Sequence, residues 1–174
     1  MSTLKVSTIA PLGTDATNTV SLQAGAKTSG FGKIAQIVQG STTTATNIAS
    51  TSFSDTGLSA SVTPSSTSSK ILVVVNQNVV TNIDTNLGNS KIQLLRDSTT
   101  VISWAENIAR IEAGNQSAVK FGHLVTFNYL DSPSTTSSVT YKTQGAVSST
   151  SNNGQSQFQQ SSVSSLITLM EVLD

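Results

Sequence analysis

Cysteine is absent from the 174 residues of this sequence, which excludes disulfides, thiolate nucleophiles and cysteine-based metal sites. Charge is also scarce, because only 10% of the residues are charged and nine basic side chains balance nine acidic ones. These charges are scattered singly, so no basic patch predicts binding to nucleic acid or to an anionic membrane. No apolar run is long enough for a signal peptide or a membrane span, so we expect synthesis in a cytoplasm and no membrane partner.

The residues that catalysis requires are equally few. A serine nucleophile needs an adjacent base, usually histidine, and the only histidine, His123, falls on the apolar side of a strand-like segment. Glu106 and Glu112 are the nearest acidic pair in sequence, and solvated charges explain them better than glycosidase chemistry does. Residues 84–88, DTNLG, supply only the first two ligands of a calcium loop. We therefore predict no catalytic residue, no metal site, no cofactor and no enzymatic activity.

Hydroxyl groups replace charge on the surface, because Ser and Thr supply roughly a third of the chain. From Ile34 onwards, about eight segments with a period of two follow one another, separated by clusters of Asp, Gly, Asn, Pro and Ser. Residues 70–80 are apolar on both faces, as in a central strand, whereas residues 119–129 are apolar on one face, which we expect to be core. The pattern predicts an all-β protein, an antiparallel β-sandwich of jelly-roll type over residues 34–174.

Two segments stand apart from this strand pattern. Residues 1–33 are rich in Thr, Ser, Gly and Asn, and their isolated apolar side chains cannot bury a core, so we predict an extended N-terminal attachment arm. The apolar residues of the arm are Leu4, Val6, Ile9, Val20 and Leu22. Residues 104–115, WAENIARIEAGN, contain apolar residues near helical spacing, while their neighbours favour a loop or an irregular strand. Helix, loop and irregular strand all remain open from the sequence.

A cassette of proline and small hydroxylated residues occurs twice, as TPSSTSSKILVVV at residues 63–75 and as DSPSTTSSVTY at residues 131–141. Proline cannot continue a hydrogen-bond ladder inside a sheet, so each cassette should end one strand before the next begins. The hydroxyl groups can bond their own backbone through the turn. We expect these residues to be exposed linkers whose replacement by alanine leaves assembly intact: Ser65, Ser66, Thr67, Ser134 and Thr135.

Several long strings also carry a resemblance to a known class of proteins. SFSDTGLSASVTPSSTSSKILVVV, IQLLRDSTTVI, FNYLDSPSTTSSVTYKTQ and LITLMEVLD resemble a domain of fibre-like virion proteins of tailed bacteriophages, especially phages of cyanobacteria and other marine bacteria. The opening STLKVSTI is similar to the segment that begins many tail-fibre proteins of these phages. The resemblance implies a virion structural protein made in the host cytoplasm, which forms a homotrimer and joins other capsid or tail proteins through its arm.

The place of the chain in the virion stays open, because 174 residues are fewer than a tail fibre usually has. A short trimeric fibre or spike, a head fibre, a capsid decoration or cement protein and a tail adaptor are the alternatives. A further alternative is a receptor-recognition module that binds a glycan of the host surface through loops around residues 104–115 and 152–160. The residues predicted to contact the host are Trp104, Glu106, Arg110, Asn115, Asn152 and Asn153.

Overall fold

A computed structural model describes residues 33–83, 86–114 and 119–173, without the side chains of residues 86–87, 105–107, 109–114 and 152. These residues form ten strands and two short 3-10 turns, Ser151–Asn153 and Gln160–Ser162, and within them no helix is long and apolar enough to cross a membrane. The strands are β1 (Ile34–Thr42), β2 (Thr46–Ile48), β3 (Ser54–Val62), β4 (Lys70–Ile83), β5 (Asn86–Arg96), β6 (Thr99–Gly114), β7 (Val119–Asp131), β8 (Val139–Val147), β9 (Gln155–Phe158) and β10 (Ser165–Val172).

The ten strands form two antiparallel sheets that pack as a sandwich. In sheet A, the long strand β4 pairs with β7 on one side. On its other side β4 pairs with β10 along its first half and with β9 along its second half. β1 then pairs with β10, and β2 pairs with β9. Sheet B has the order β3, β8, β5, β6. If β1 with β2 and β9 with β10 are each taken as one interrupted strand, both sheets have four strands and most connections cross between them. This is the jelly-roll arrangement, so the predicted sandwich is confirmed, while the predicted arm with Leu4, Val6, Ile9, Val20 and Leu22 lies outside the described residues.

The two strands with the strongest patterns occupy sheet A, and both are less covered than expected. The inward side chains of β4 are fully buried, while its outward apolar residues are half-buried. The apolar face of β7 points inward as predicted, but His123, Val125 and Phe127 are half-buried and Phe121 is 51% exposed. The reason is that β7 is an edge strand, so part of its inner face lies beyond the cover of sheet B.

The segment over residues 104–114 is a strand, part of β6, and it pairs with β5 across three irregularities in register. The irregular-strand alternative is therefore correct and the helix and loop alternatives are wrong, whereas contact of this segment with a host stays a prediction. Trp104 and Ile108 are four residues apart, a spacing that puts two side chains on one face of a helix or of a strand. The predicted loop at residues 152–160 is also wrong for residues 155–158, which form β9.

The core between the sheets alternates apolar and polar layers. A large apolar cluster includes Leu58, Val73 and Tyr141, and a smaller one contains Val79 and Phe158. Between them lies a polar layer in which Gln77 Nε2 donates to Thr56 Oγ1 over 2.8 Å, and Thr56 Oγ1 bonds Thr143 Oγ1. Gln159 completes this layer when its amide is oriented to accept from Gln77 Nε2 and donate to the Thr44 and Thr56 carbonyl oxygens. These hydrogen bonds connect the two sheets across the core and favour one alignment of the sheets, while the Gln77 Oε1 atom is buried without a hydrogen-bond partner.

The two proline cassettes connect the sheets at one end of the sandwich, which we call the corner end and define by residues 63–69 and 132–138. The first joins β3 to β4 and the second joins β7 to β8, and both cross between sheets A and B. They are neighbours because β4 pairs with β7 and β3 pairs with β8. Each turn is closed by a hydroxyl, since Ser66 Oγ accepts from Ser68 N and Thr135 Oγ1 accepts from Ser137 N. The predicted strand stops and local hydroxyl bonds are confirmed.

Two buried carboxylates hold this corner end, one on each side of Ile71 in the same transverse row of sheet A. Ile71 pairs with Glu171 of β10 and with Asp131 of β7, and Glu171 and Asp131 are 0% and 7% exposed. Asp131 Oδ2 accepts from Arg96 Nη1 over 2.6 Å and from the Tyr141 hydroxyl over 2.7 Å. Burial raises the pKa of Tyr141 well above its ordinary value, and the Asp131 carboxylate raises it further. Asp131 thus links sheet A to β5 and β8 of sheet B.

Glu171 binds the first cassette. Its Oε1 accepts from the backbone N–H and the hydroxyl of Ser65, over 2.7 and 2.6 Å, and its Oε2 accepts from Gln36 Nε2 over 2.6 Å. Burial raises the pKa of Glu171, but the hydrogen bonds from Ser65 and Gln36 outweigh it and lower the pKa to about 2. Ser65 is exposed, as predicted. It is more than a linker, because its backbone N–H and its hydroxyl both donate to a buried carboxylate.

Glu171→Gln should reduce the dependence of stability on acidic pH. Folding lowers the Glu171 pKa from 4.5 to about 2, so its stabilising contribution is complete above pH 4.5 and is lost as the pH falls towards 2. We expect the variant to be less stable by about 2 kcal/mol at pH 7 and to approach the wild type at low pH. Urea unfolding at a series of pH values measures this. Asp97→Asn removes an exposed carboxylate and is the control, and an unchanged pH slope in Glu171→Gln would contradict the interpretation.

Gly145→Ala should destabilise the sandwich. Gly145 lies in β8, and a Cβ atom there would collide with the Phe158 ring and approach Ile48 Cδ1 to 3.3 Å. Because Phe158 is fully buried, the ring cannot move without disturbing the smaller apolar cluster. We expect a loss of about 2 kcal/mol in the free energy of unfolding. Gly122→Ala is the matched control, since Gly122 is an exposed strand glycine with Val80 Cγ2 at 3.3 Å, and equal effects of both changes would refute the packing argument.

Candidate functional site

The outer faces of the two sheets differ in chemistry. On sheet B, the outward residues form a polar ladder in which Lys142 Nζ and Gln144 Nε2 donate to Asp55, over 2.9 and 2.7 Å. Gln93 Nε2 continues the ladder by donating to Gln144 Oε1 over 2.8 Å. The bond from Lys142, followed by that from Gln144, lowers the pKa of Asp55. This face satisfies its own polar groups and is typical of a solvent-exposed surface.

The outer face of sheet A instead carries four apolar residues in one transverse line, which we call the apolar row: Ile37, Met170, Leu72 and Leu130. The pairing places Ile37 beside Met170, Met170 beside Leu72, and Leu72 beside Leu130. Ile37 is 60% exposed and Leu130 is 50% exposed, while the two central residues are half-buried. Contiguous exposed apolar residues on a soluble face mark an interaction surface more often than scattered ones do.

Further exposed apolar residues lie beside the apolar row, at the start of β1 and just after β10. Ile34 pairs with Val172, and Ile34 and Leu173 are 50% and 36% exposed. The Leu173 N–H donates to the Lys33 carbonyl oxygen over 2.7 Å. Lys33 precedes β1, so the chain enters the sandwich at the corner end, beside the apolar row.

A second feature is an open groove of about 280 Å³ between the edge strands β6 and β7. Trp104 and Ile108 of β6 line one side, and Val125 and Phe127 of β7 line the other. The Trp104 and Phe127 rings have centroids 4.2 Å apart and are tilted by 43°. Trp104 is thus half-buried against the smaller core cluster, with only part of its ring facing the groove.

His123 also borders this groove, and its ring stacks on Phe121 with centroids 5.5 Å apart. Burial lowers the pKa of His123, and backbone groups of Ile108 and Phe121 oppose that effect. Neither ring nitrogen makes a well-aligned hydrogen bond, and both are shielded from solvent. The arrangement is that of a neutral packed histidine, as the sequence predicted.

The other residues predicted to contact the host are only partly placed by the structure. Glu106 and Arg110 belong to β6, but their side chains, like that of Asn152, are outside what is described, and Asn115 lies between the described ranges. Asn153 is exposed and has a left-handed backbone, with a φ of 56°. β9, just beyond it, pairs Gln155 with Asn82 near the end of β4. Asn153 and the end of β6 therefore lie in the half of the sandwich opposite the corner end.

No cluster of three or more His, Cys, Asp or Glu residues suited to a metal ion occurs in the described ranges. Asp131, Arg96 and Tyr141 are the most concentrated ionisable group, with 2.6 Å between Arg96 Nη1 and Asp131 Oδ2. Asp131 and Tyr141 are buried, and each of the two bonds its partners inside the sandwich. Their geometry ties two sheets together and presents no open reacting centre.

The fold and these surfaces define a jelly-roll β-sandwich with one apolar outer face. No protein family matches the sequence, and no curated protein matches it. Among solved structures, one similar chain is from the structure of infectious bursal disease virus Gt strain, with 15% identity and a TM-score of 0.32. The match covers 95% of this chain and 43% of the viral chain, so this chain spans less than half the length of that protein. At this TM-score we draw no functional conclusion from the similarity.

The sequence prediction did not include the apolar row. The sequence feature that relates to the row is the segment 70–80, in which both alternating faces are apolar. That pattern alone predicts burial of both faces. Only the pairing of four separate strands shows that Leu72 lies in line with Ile37, Met170 and Leu130.

Phe127→Ala should loosen the groove and expose the single tryptophan. The change removes the ring that contacts Trp104, so we expect a loss of about 2 kcal/mol in the free energy of unfolding and a red shift of Trp104 fluorescence. Asn128→Ala is the control, because Asn128 is the adjacent, exposed residue on the opposite face of β7. If tryptophan emission is unchanged in Phe127→Ala, Trp104 does not depend on this contact.

Proposed function

We propose that this protein is a non-enzymatic structural protein of a bacteriophage virion, a short homotrimeric fibre or spike that attaches to the particle through residues 1–33. The observation that supports it most is the exposed apolar row beside the point where the chain enters the sandwich. A free monomer gains nothing from an uncovered line of Ile, Leu and Met, whereas a subunit of an assembly buries it. The resemblance of the long strand and cassette strings to phage fibre proteins points the same way.

The apolar row supplies part of the free energy that an assembly of copies needs. Ile37 and Leu130 are 60% and 50% exposed, and burying the exposed part of such side chains contributes about 1 kcal/mol each. With partial contributions from Leu72 and Met170, a copy gains about 3 kcal/mol from its row. Each copy that joins an assembly costs about 4–15 kcal/mol in lost freedom, so the half-buried apolar residues beside the row, such as Val74 and Leu166, must contribute as well before the contact is stable.

A glycan-binding role is a second candidate function. The feature that favours it is the open groove beside Trp104, which Ile108, Val125 and Phe127 also line. A capsid decoration protein or tail adaptor would share the same arm and trimer.

Charged substitutions in the arm should prevent incorporation into the virion. In Leu4→Asp with Val6→Asp, the full chain keeps its sandwich but loses an apolar pair that we propose docks on another virion protein, so purified particles should lack it on immunoblots. Thr3→Asp with Ser7→Asp adds the same charge at neighbouring polar positions and should be incorporated normally. Normal incorporation of both variants would contradict attachment through this pair, and absence of the wild-type chain from virions would overturn the proposed function.

A further inference from the structure

The apolar row crosses sheet A from one edge to the other, because each of four neighbouring strands contributes one residue to it. We propose that the row is the trimer contact, with the outer faces of three copies of sheet A arranged around a threefold axis. This inference rests on the trimer proposed above and adds the surface that forms it.

The dimensions of a four-stranded sheet fit such an arrangement. Four strands spaced about 4.8 Å apart make a face about 19 Å wide. At each corner of a triangular prism, the edge strands of two copies must also stand about one strand spacing apart, because a closer approach would overlap their backbones. Three such faces lie about 7 Å from their common axis. Sheets that pack face to face are about 10 Å apart, so an average side chain fills about 5 Å, and the longer Leu72 and Met170 side chains extend further towards the axis.

The distribution of apolar residues across the face favours a prism over a flat contact between two sheets. Next to the row, the central strands carry Val74 of β4 and Thr168 of β10, and Leu166 of β10 follows one outward position further; all three are half-buried. On the edge strands, Gln39 of β1 and Asn128 of β7 are exposed and polar. Two flat sheets in contact would cover centre and edges alike, whereas a prism covers the centre most. The edges are apolar at Ile37 and Leu130 in the row, and also at Ile34 of β1 and Leu124 of β7 outside it. The apolar row is the transverse line of this face in which all four strands carry an apolar residue.

The charge distribution is compatible with contact between identical copies. On the outward positions of β4, β7 and β10, the charged residues are Lys70 and Lys120, at the two ends of the face. Between them these positions carry no charge. A threefold contact brings identical surfaces together, so any charge near the axis would meet two copies of itself.

The prism predicts which residues of neighbouring copies are in contact. Leu72 and Met170 lie on the central strands and would point at the axis, while Ile37 and Leu130 lie on opposite edges. At each corner, the edge strand β1 of one copy meets the edge strand β7 of the next, so Ile37 of one copy contacts Leu130 of a neighbouring copy. Within a single copy these two residues are three strand spacings, about 14 Å, apart.

Cysteine cross-linking tests this relation, because the chain has no cysteine of its own. In the full chain, Ile37→Cys with Leu130→Cys cannot form an internal disulfide, since a disulfide needs Cα atoms within about 7 Å. Light scattering in reducing buffer should give three times the 18.0 kDa chain mass. After oxidation, non-reducing electrophoresis should show three linked chains as the main species, whereas each single variant should remain unlinked.

Ser59→Cys with Thr100→Cys is the matched control. These exposed residues lie on the two edge strands of sheet B, the same number of strands apart, and should not cross-link. A trimer without linkage between positions 37 and 130 would overturn the apolar row as the contact but leave the trimer standing. Linkage of Ile37→Cys alone would show a twofold contact and also overturn it. A monomer in reducing buffer would reject both the row and the proposed trimer.

A charge substitution provides a second, independent readout. Leu130→Lys places three like charges at the corners of the prism and should give a folded monomer, with an unchanged circular dichroism spectrum. Ser59→Lys adds the same charge to the outer face of sheet B and should remain trimeric. If Leu130→Lys stays trimeric, the row is not the contact surface.

Discussion

The burial of two carboxylates on either side of Ile71 is the constraint on which the corner end of the sandwich depends. Glu171 and Asp131 lie in sheet A, but their partners belong to other parts of the fold: Ser65 in the first cassette, and Arg96 and Tyr141 in sheet B. A buried carboxylate without its donors is strongly unfavourable. The two groups therefore fix where β4, β7 and β10 stand relative to one another and to the opposite sheet.

The apolar row follows from this constraint. Side chains of a strand alternate between its two faces, so directing Glu171, Ile71 and Asp131 inward directs Met170, Leu72 and Leu130 outward. Hydrophobicity alone would favour the opposite orientation of these residues, with the two carboxylates in water and Met170, Leu72 and Leu130 inside. A slip by one residue would achieve that, but it would also turn the inward residues of the rest of β4 to the outside. The fold thus keeps an apolar line on its surface at a cost that contact with other copies would offset.

Much of the fold could be predicted because it depends on local sequence patterns. The period of two in β4, β7 and β10, and the prolines at positions 64 and 133, depend only on neighbouring residues, and they identified the strands and the two corners. The pattern was ambiguous where one spacing serves two structures, as for Trp104 and Ile108 in β6. It failed for β9, whose short run of Gln and Ser becomes a strand only through pairing with β2 and β4. It also failed for Ser65, whose partner Glu171 is 106 residues away.

The sequence by itself determined that this chain is an all-β sandwich with little charge, no cysteine and an N-terminal segment rich in Thr, Ser, Gly and Asn. Those properties are sums over residues or repeats along the chain, so they can be read without knowing which strands meet. The tertiary structure alone decided which carboxylates are buried, which hydroxyl satisfies them and which apolar residues form a continuous line across sheet A. These depend on the pairing of strands far apart in sequence, and a strand's neighbours are set by the packing of the whole sandwich.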